Sequence, residues 1–107
     1  MALDEGTIAF NFERAKQQAN ELDEIASNLS KLATSDFAGT MQNVSVNWKG
    51  ENARKYLGKG ERLQSDMRST ASSLRSVASE IRTVARRIYD AEMYALALAR
   101  EREYHSS

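Results

Sequence analysis

The chain of 107 residues has no cysteine, so it forms no disulfide and no thiolate metal site. It has no proline, so nothing in the sequence forces a helix to end. Glycine occurs only five times, and aromatic residues make up 7%. Its charges cancel, with 15 basic against 15 acidic residues, which excludes the strong global field of a nucleic-acid or anionic-membrane binder. No run is long and apolar enough for a membrane span, which argues against stable membrane insertion. The start, Met1-Ala2-Leu3-Asp4-Glu5-Gly6, lacks the basic and apolar regions of a cleaved signal peptide.

Long amphipathic helices fit what remains. Hydrophobic content of 41% is low for a thick core, and one domain, 1–107, is the most this length supports. After a lead of about ten residues, apolar positions run Phe12, Ala15, Ala19, Leu22, Ala26, Leu29, Ala33, Phe37, Met41, Val44 and Trp48. Steps of three and four describe one face of a helix over about 12–44, with Asn11 as the preferred cap over Thr7. Such a helix is about 50 Å long at roughly 1.5 Å per residue.

The stretch Val44–Gly50 breaks this pattern. Asn47 and Gly50 are turn formers, and Val44 and Val46 weaken helix preference, which predicts a turn over about 45–50. A second helix follows over about 51–103. Its apolar steps pass Ala53, Tyr56, Gly60, Leu63, Met67, Thr70, Leu74, Val77, Ile81, Val84, Ile88, Ala91, Ala95 and Leu98 without a slip. Sustained heptads imply helix packed on helix. The reading is an all-α antiparallel hairpin whose core, within the hairpin or between two copies, is formed by Leu22, Leu29, Leu63, Met67, Leu74, Val77, Ile81, Val84 and Ile88. Gly58 and Gly60 each cost about 1 kcal/mol in a helix unless a neighbour needs their space.

The halves differ in charge. Residues 1–48 hold seven acids and three bases, a net of −4, and residues 49–107 hold twelve bases and eight acids, a net of +4. Exposed pairs between them are worth roughly 0–1 kcal/mol each, enough to favour one register. The lengths also differ. A first helix beginning at Phe12 leaves the second uncovered from about Arg86 to Tyr104, an apolar arm with Ile88, Tyr89, Met93, Tyr94, Leu96 and Leu98.

Nothing here looks able to do chemistry, so no enzyme and no cofactor are expected. The one histidine, His105, sits near the end. Glu21, Asp23 and Glu24 lack calcium-loop spacing and read as a solvated face. Lys55-Tyr56-Leu57-Gly58-Lys59-Gly60 lacks phosphate-loop spacing. Arg82, Arg86 and Arg87 form a basic band, but Glu80, Asp90 and Glu92 interrupt it, so nucleic acid is not the expected partner. Trp48 has a plain role as a cap on the core, its indole N–H reaching a turn carbonyl. A turn residue can also be a recognition element.

Trp48-Lys49-Gly50 between two amphipathic helices, in a chain near 100 residues, resembles the WXG (ESAT-like) family of small type VII secretion substrates. The resemblance implies a hairpin that dimerises into an elongated four-helix bundle. It also implies folded export, without a signal peptide, by a membrane ATPase of Gram-positive or mycobacterial type. In that family the turn, here Trp48 and Gly50, acts with a C-terminal Tyr-x-x-x-acid signal. This chain departs from the signal, because Met93 follows Tyr89 and Leu98 follows Tyr94 at the fourth place. Tyr89 and Glu92 still share a helix face at i, i+3. The C-terminal recognition surface is therefore expected at Tyr89, Glu92 and Tyr94. The departure favours an adaptor that pairs with the helical N-terminal region of a larger toxin, beside a homodimer. The alternatives are a cytoplasmic coiled-coil interaction module and, more remotely, a nucleic-acid-associated helical protein.

Overall fold

The computed structural model describes residues 4–106, which are helical almost throughout, with no strand among them. Helix α1 runs Glu5–Lys31, a π-helical turn covers Leu32–Asp36, α2 runs Phe37–Asn47, and α3 runs Glu51–Ser106. The two long helical stretches are thus joined by the short turn at residues 48–50.

Helix α1 starts two turns before the expected Phe12. The cap is Asp4, whose Oδ1 accepts the Thr7 backbone N–H at 2.7 Å, while the Ile8 N–H reaches the Asp4 carbonyl at 3.0 Å. Asp is among the best N-caps, and Glu5 in the first turn suits the helix dipole. The lead of about ten residues left outside the expected helix is therefore helical from Glu5 on, and residues 1–3 lie outside the described residues. At the other end α3 reaches Ser106, past the expected stop near residue 103.

The chain packs as two compact units, among the described residues 4–21 with 77–106, and 22–76. In unit 1 the partners run in opposite order along the two helices. Glu5 meets Arg100 at 3.6 Å, the Phe12 ring meets Tyr89 edge-on at 4.7 Å, and Arg82 Nη2 donates to Asn20 Oδ1 at 2.9 Å. Ile8, Ala19, Ala78 and Ala85 are buried. Because α1 starts at Glu5, α3 is accompanied as far as Arg100. The arm expected to stand free from Arg86 is thus covered over most of its length. Tyr89, Met93, Leu96 and Leu98 are half-buried there.

Unit 2 is also antiparallel. Gln64 Nε2 donates to the Ala33 carbonyl at 2.7 Å, Met41 packs on Gly60, and the Trp48 ring lies near Tyr56. Ala26, Ala33, Met41, Val44, Ala53 and Ala71 are buried. The π-helical turn has a cause legible in the spacing. Ala19, Ala26 and Ala33 are one heptad apart, but the next buried residue, Met41, is one residue late. A π turn absorbs one extra residue, so Met41 and Val44 still face α3. Gln64 reaches into this turn, where the α-helical bonding pattern is broken. A Cβ at Gly60 would stand 2.1 Å from Met41 Cε, so the missing side chain is the space the methionine occupies. At Gly58 nothing lies within 4 Å of that position.

The buried seam is mainly alanine, so the bulky residues expected as a hairpin or dimer core do not form the hairpin's own seam. In α3 the seam passes Ala53, Gly60, Ala71, Ala78 and Ala85. Leu22, Leu29, Met67, Leu74 and Ile81 flank it and are half-buried. Leu63, Val77, Val84 and Ile88 are 45–51% exposed and lie outside the hairpin seam. Ala71, Ala78 and Ala85 stand one position, about 100° around the helix, from the expected Thr70, Val77 and Val84, whereas Ala53 and Gly60 are buried where the pattern put them. Alanine wins the inner position because small side chains let the backbones approach, leaving the bulkier residues beside the contact.

Candidate interaction surfaces

The turn closes by backbone chemistry. Trp48 leaves the helix with extended dihedrals, φ −108° and ψ 141°, while its N–H still reaches the Val44 carbonyl. Gly50 has φ +97°, a region other residues enter only with strain. Its carbonyl accepts the Arg54 N–H at 3.2 Å and so starts α3. Glycine at this position sets the reversal of the chain, and Glu51 then opens the helix with an acid in its first turn.

Trp48 does not bury itself under this turn. Its side chain is 56% exposed, and its ring lies 5.7 Å from that of Tyr56, tilted by 40°. Among the described residues its indole N–H has no hydrogen-bond partner. This corrects the expected role as a cap on the core. Val46 and Tyr56 are exposed beside it, so the turn presents an open apolar and aromatic surface.

The three residues expected to form a C-terminal surface are only partly brought together. Tyr89 and Glu92 line one half-open crevice in unit 1 with Ile8, Asn11, Phe12 and Ile88, about 160 Å³ in volume. The one-turn spacing predicted that shared face. Tyr89, however, is held by Phe12, and Arg86 stands 5.8 Å from both rings, within cation–π range. Tyr94 is not part of the crevice and is 68% exposed.

Several of the residues expected as a hairpin or dimer core are instead exposed beside the hairpin seam. In unit 1, Val77, Ile81, Val84 and Ile88 line a shallow apolar groove with Ala15, about 340 Å³ in volume. In unit 2, Ile25, Leu32 and Leu63 are exposed next to the half-buried Leu22, Leu29 and Leu74. Leu63, Val77 and Val84 fall on one heptad position of α3. The heptad signal was visible, but periodicity alone does not tell which of two adjacent stripes faces inward.

No group of three or more His, Cys, Asp or Glu side chains suited to a metal ion occurs among the described residues. None of their polar or charged side chains is buried. Two arginines of the basic band are engaged, Arg82 with Asn20 and Arg86 with Asp90 at 3.3 Å. His105 lies 4.0 Å from Glu101. One carboxyl is perturbed: the Thr7 amide beside Asp4, helped by the Thr7 hydroxyl and the Gly6 amide, holds it below the usual carboxylate range. That is a helix cap. No helix of the described residues is long and apolar enough to cross a membrane. Comparisons with protein-family models, with curated proteins and with solved structures find no match to this chain.

Proposed function

We propose that the protein is a non-enzymatic recognition module of the WXG type, a type VII secretion substrate or an adaptor for a partner toxin, that works as a dimer. The observation that carries this reading is the exposed aliphatic stripe. A chain that covers its own seam with alanine and leaves Val77, Val84 and Ile88 of unit 1 about half exposed has a second helix-packing surface there. A second copy, or the helical N-terminal region of a toxin, covers that stripe and completes a four-helix bundle. The exposed Trp48-Lys49-Gly50 turn supplies the recognition feature that the resemblance assigns to it, and the secretion ATPase is its reader.

Two measurements test this. Light scattering on the purified chain gives twice the monomer mass, and Val84→Glu with Ile88→Glu returns it to one without loss of helicity. In a cell with an active type VII machine the protein reaches the medium, and Trp48→Ala keeps a folded dimer inside. A dimer that stays in the cytosol whatever the state of the machine overturns the export reading. It leaves the cytoplasmic coiled-coil module, which the packing of Tyr89 against Phe12 favours, since that tyrosine is not free to be read.

A further inference from the structure

Charge is unevenly spread in unit 2. Helix α2, Phe37–Asn47, carries no charged residue. The turn and the first turns of α3 then bring Lys49, Arg54, Lys55 and Lys59 against the single acid Glu51. Lys49, Arg54 and Lys59 form no ion pair among the described residues. Lys55 reaches Glu51 only at 4.0 Å, with both side chains largely exposed. Trp48 and Tyr56 fall in the same stretch of sequence and are about half exposed, as is Val46.

The shape of this end decides between ligands. A groove does cross α2 and α3, lined by Met41, Gln42, Ser45 and Leu57 among others, but it includes neither aromatic ring and none of the four cations. The aromatic and basic side chains belong to the turn and the first turns of α3, and the two rings are exposed there. Exposed Trp and Tyr rings in a stretch rich in Lys and Arg suit a broad surface that is apolar below and anionic above. Amphipathic rings settle at the headgroup level of a bilayer, and basic side chains are drawn to its anionic lipids.

We infer that the turn of unit 2 is a peripheral docking site for an anionic lipid surface. Trp48 and Tyr56 seat at the headgroup level, and Lys49, Arg54, Lys55 and Lys59 face the lipid phosphates. The contact is interfacial and reversible. It goes beyond the export reading and stands or falls apart from it, since it needs neither a secretion machine nor a partner chain.

Trp48 is the only tryptophan, so its fluorescence reports on this site alone. The full chain is titrated with vesicles of phosphatidylcholine, with and without phosphatidylglycerol, and the bound fraction is measured by co-sedimentation. The expected result is a blue shift of emission and co-sedimentation with the anionic vesicles only, both reversed by salt. The variant K49Q/R54Q/K55Q/K59Q lowers partitioning by about fivefold per cation removed, the equivalent of about 1 kcal/mol each. The control R68Q/R75Q/R87Q/R102Q changes net charge equally and leaves partitioning within about twofold. Circular dichroism of both variants keeps folding separate from binding. Equal loss in the two variants overturns the proposal, as does co-sedimentation with an unshifted Trp48 spectrum. So does a shift produced by soluble polyglutamate but not by vesicles, which assigns the site to an acidic protein instead.

Discussion

The two units solve the same packing problem by different means. Unit 1 keeps an uninterrupted heptad, with Ala19, Ala78 and Ala85 buried and Phe12 closed against Tyr89. Unit 2 carries one residue too many between Ala33 and Met41, and it responds with a π turn, a glycine opposite a methionine and a glutamine bonded to a backbone carbonyl. Regular spacing needs only small side chains in the seam. Irregular spacing needs devices, and each is a place where one substitution has a large effect.

Deleting one residue from each unit separates the two modes of packing. Removing Gln17 rotates everything N-terminal to it by about 100° and takes Ile8 and Phe12 out of contact. The expected result is loss of cooperative melting in unit 1. Removing Ser35 shortens the π turn to an ordinary α-helical one and restores the heptad from Ala33 to Met41, so the melting temperature holds or rises. Thermal melts followed by circular dichroism compare the two. Equal damage from both deletions would show that the π turn is not an absorbed insertion.

Smaller effects are expected at the glycines of α3. Gly60→Val forces Met41 out of its seat and costs about 1–3 kcal/mol, as overpacking usually does. Adding Met41→Ala to it recovers part of that loss. Gly58→Ala meets open space in a helix and stabilises by about 1 kcal/mol. Urea denaturation of the three variants gives the order of stabilities. A Gly60→Val chain as stable as the parent removes the close-approach argument.

Gln64→Leu removes the bond to Ala33 and costs about 1 kcal/mol, with a matching rise in amide exchange around residues 34–38. The smallest effect belongs to the Asp4 cap. Its carboxyl is depressed by the Thr7 amide, so its contribution is fully present above the ordinary carboxylate pKa and is lost as pH falls through the lowered value. Asp4→Asn flattens that acid limb of the helicity curve and leaves neutral-pH helicity nearly unchanged, since Asn also caps.

The helices and the turn were legible because heptads, the absence of proline and the pair Asn47 and Gly50 all point the same way. The start of α1 was not, because Phe12 opens the apolar run and draws attention from Asp4, whose capping role needs only a short side chain. The π turn left a trace in the sequence, two successive steps of four through Ala33, Phe37 and Met41. One of the two α3 heptad positions was misread, because Ala71, Ala78 and Ala85 repeat with the same period as Thr70, Val77 and Val84, while the position of Ala53 and Gly60 was read correctly. Hydrophobicity ranks valine above alanine, whereas close approach favours the reverse. Of the surface residues, the Tyr89 and Glu92 pairing followed from helical spacing. The openness of Trp48 did not, since a tryptophan can cover a core or face outward with the same neighbours in sequence.

The three-residue turn also orders events in time. Trp48 with Tyr56, and Met41 with Gly60, join residues close in sequence, so their loops close at little entropic cost. Glu5 with Arg100 joins nearly the whole chain and gains little until the intervening contacts exist. Folding therefore zips outward from Gly50, each new pair shortening the loop for the next. A topology dominated by such stepwise closure predicts a rapid folder. In a refolding experiment the Trp48 environment forms first and the Phe12–Tyr89 contact follows.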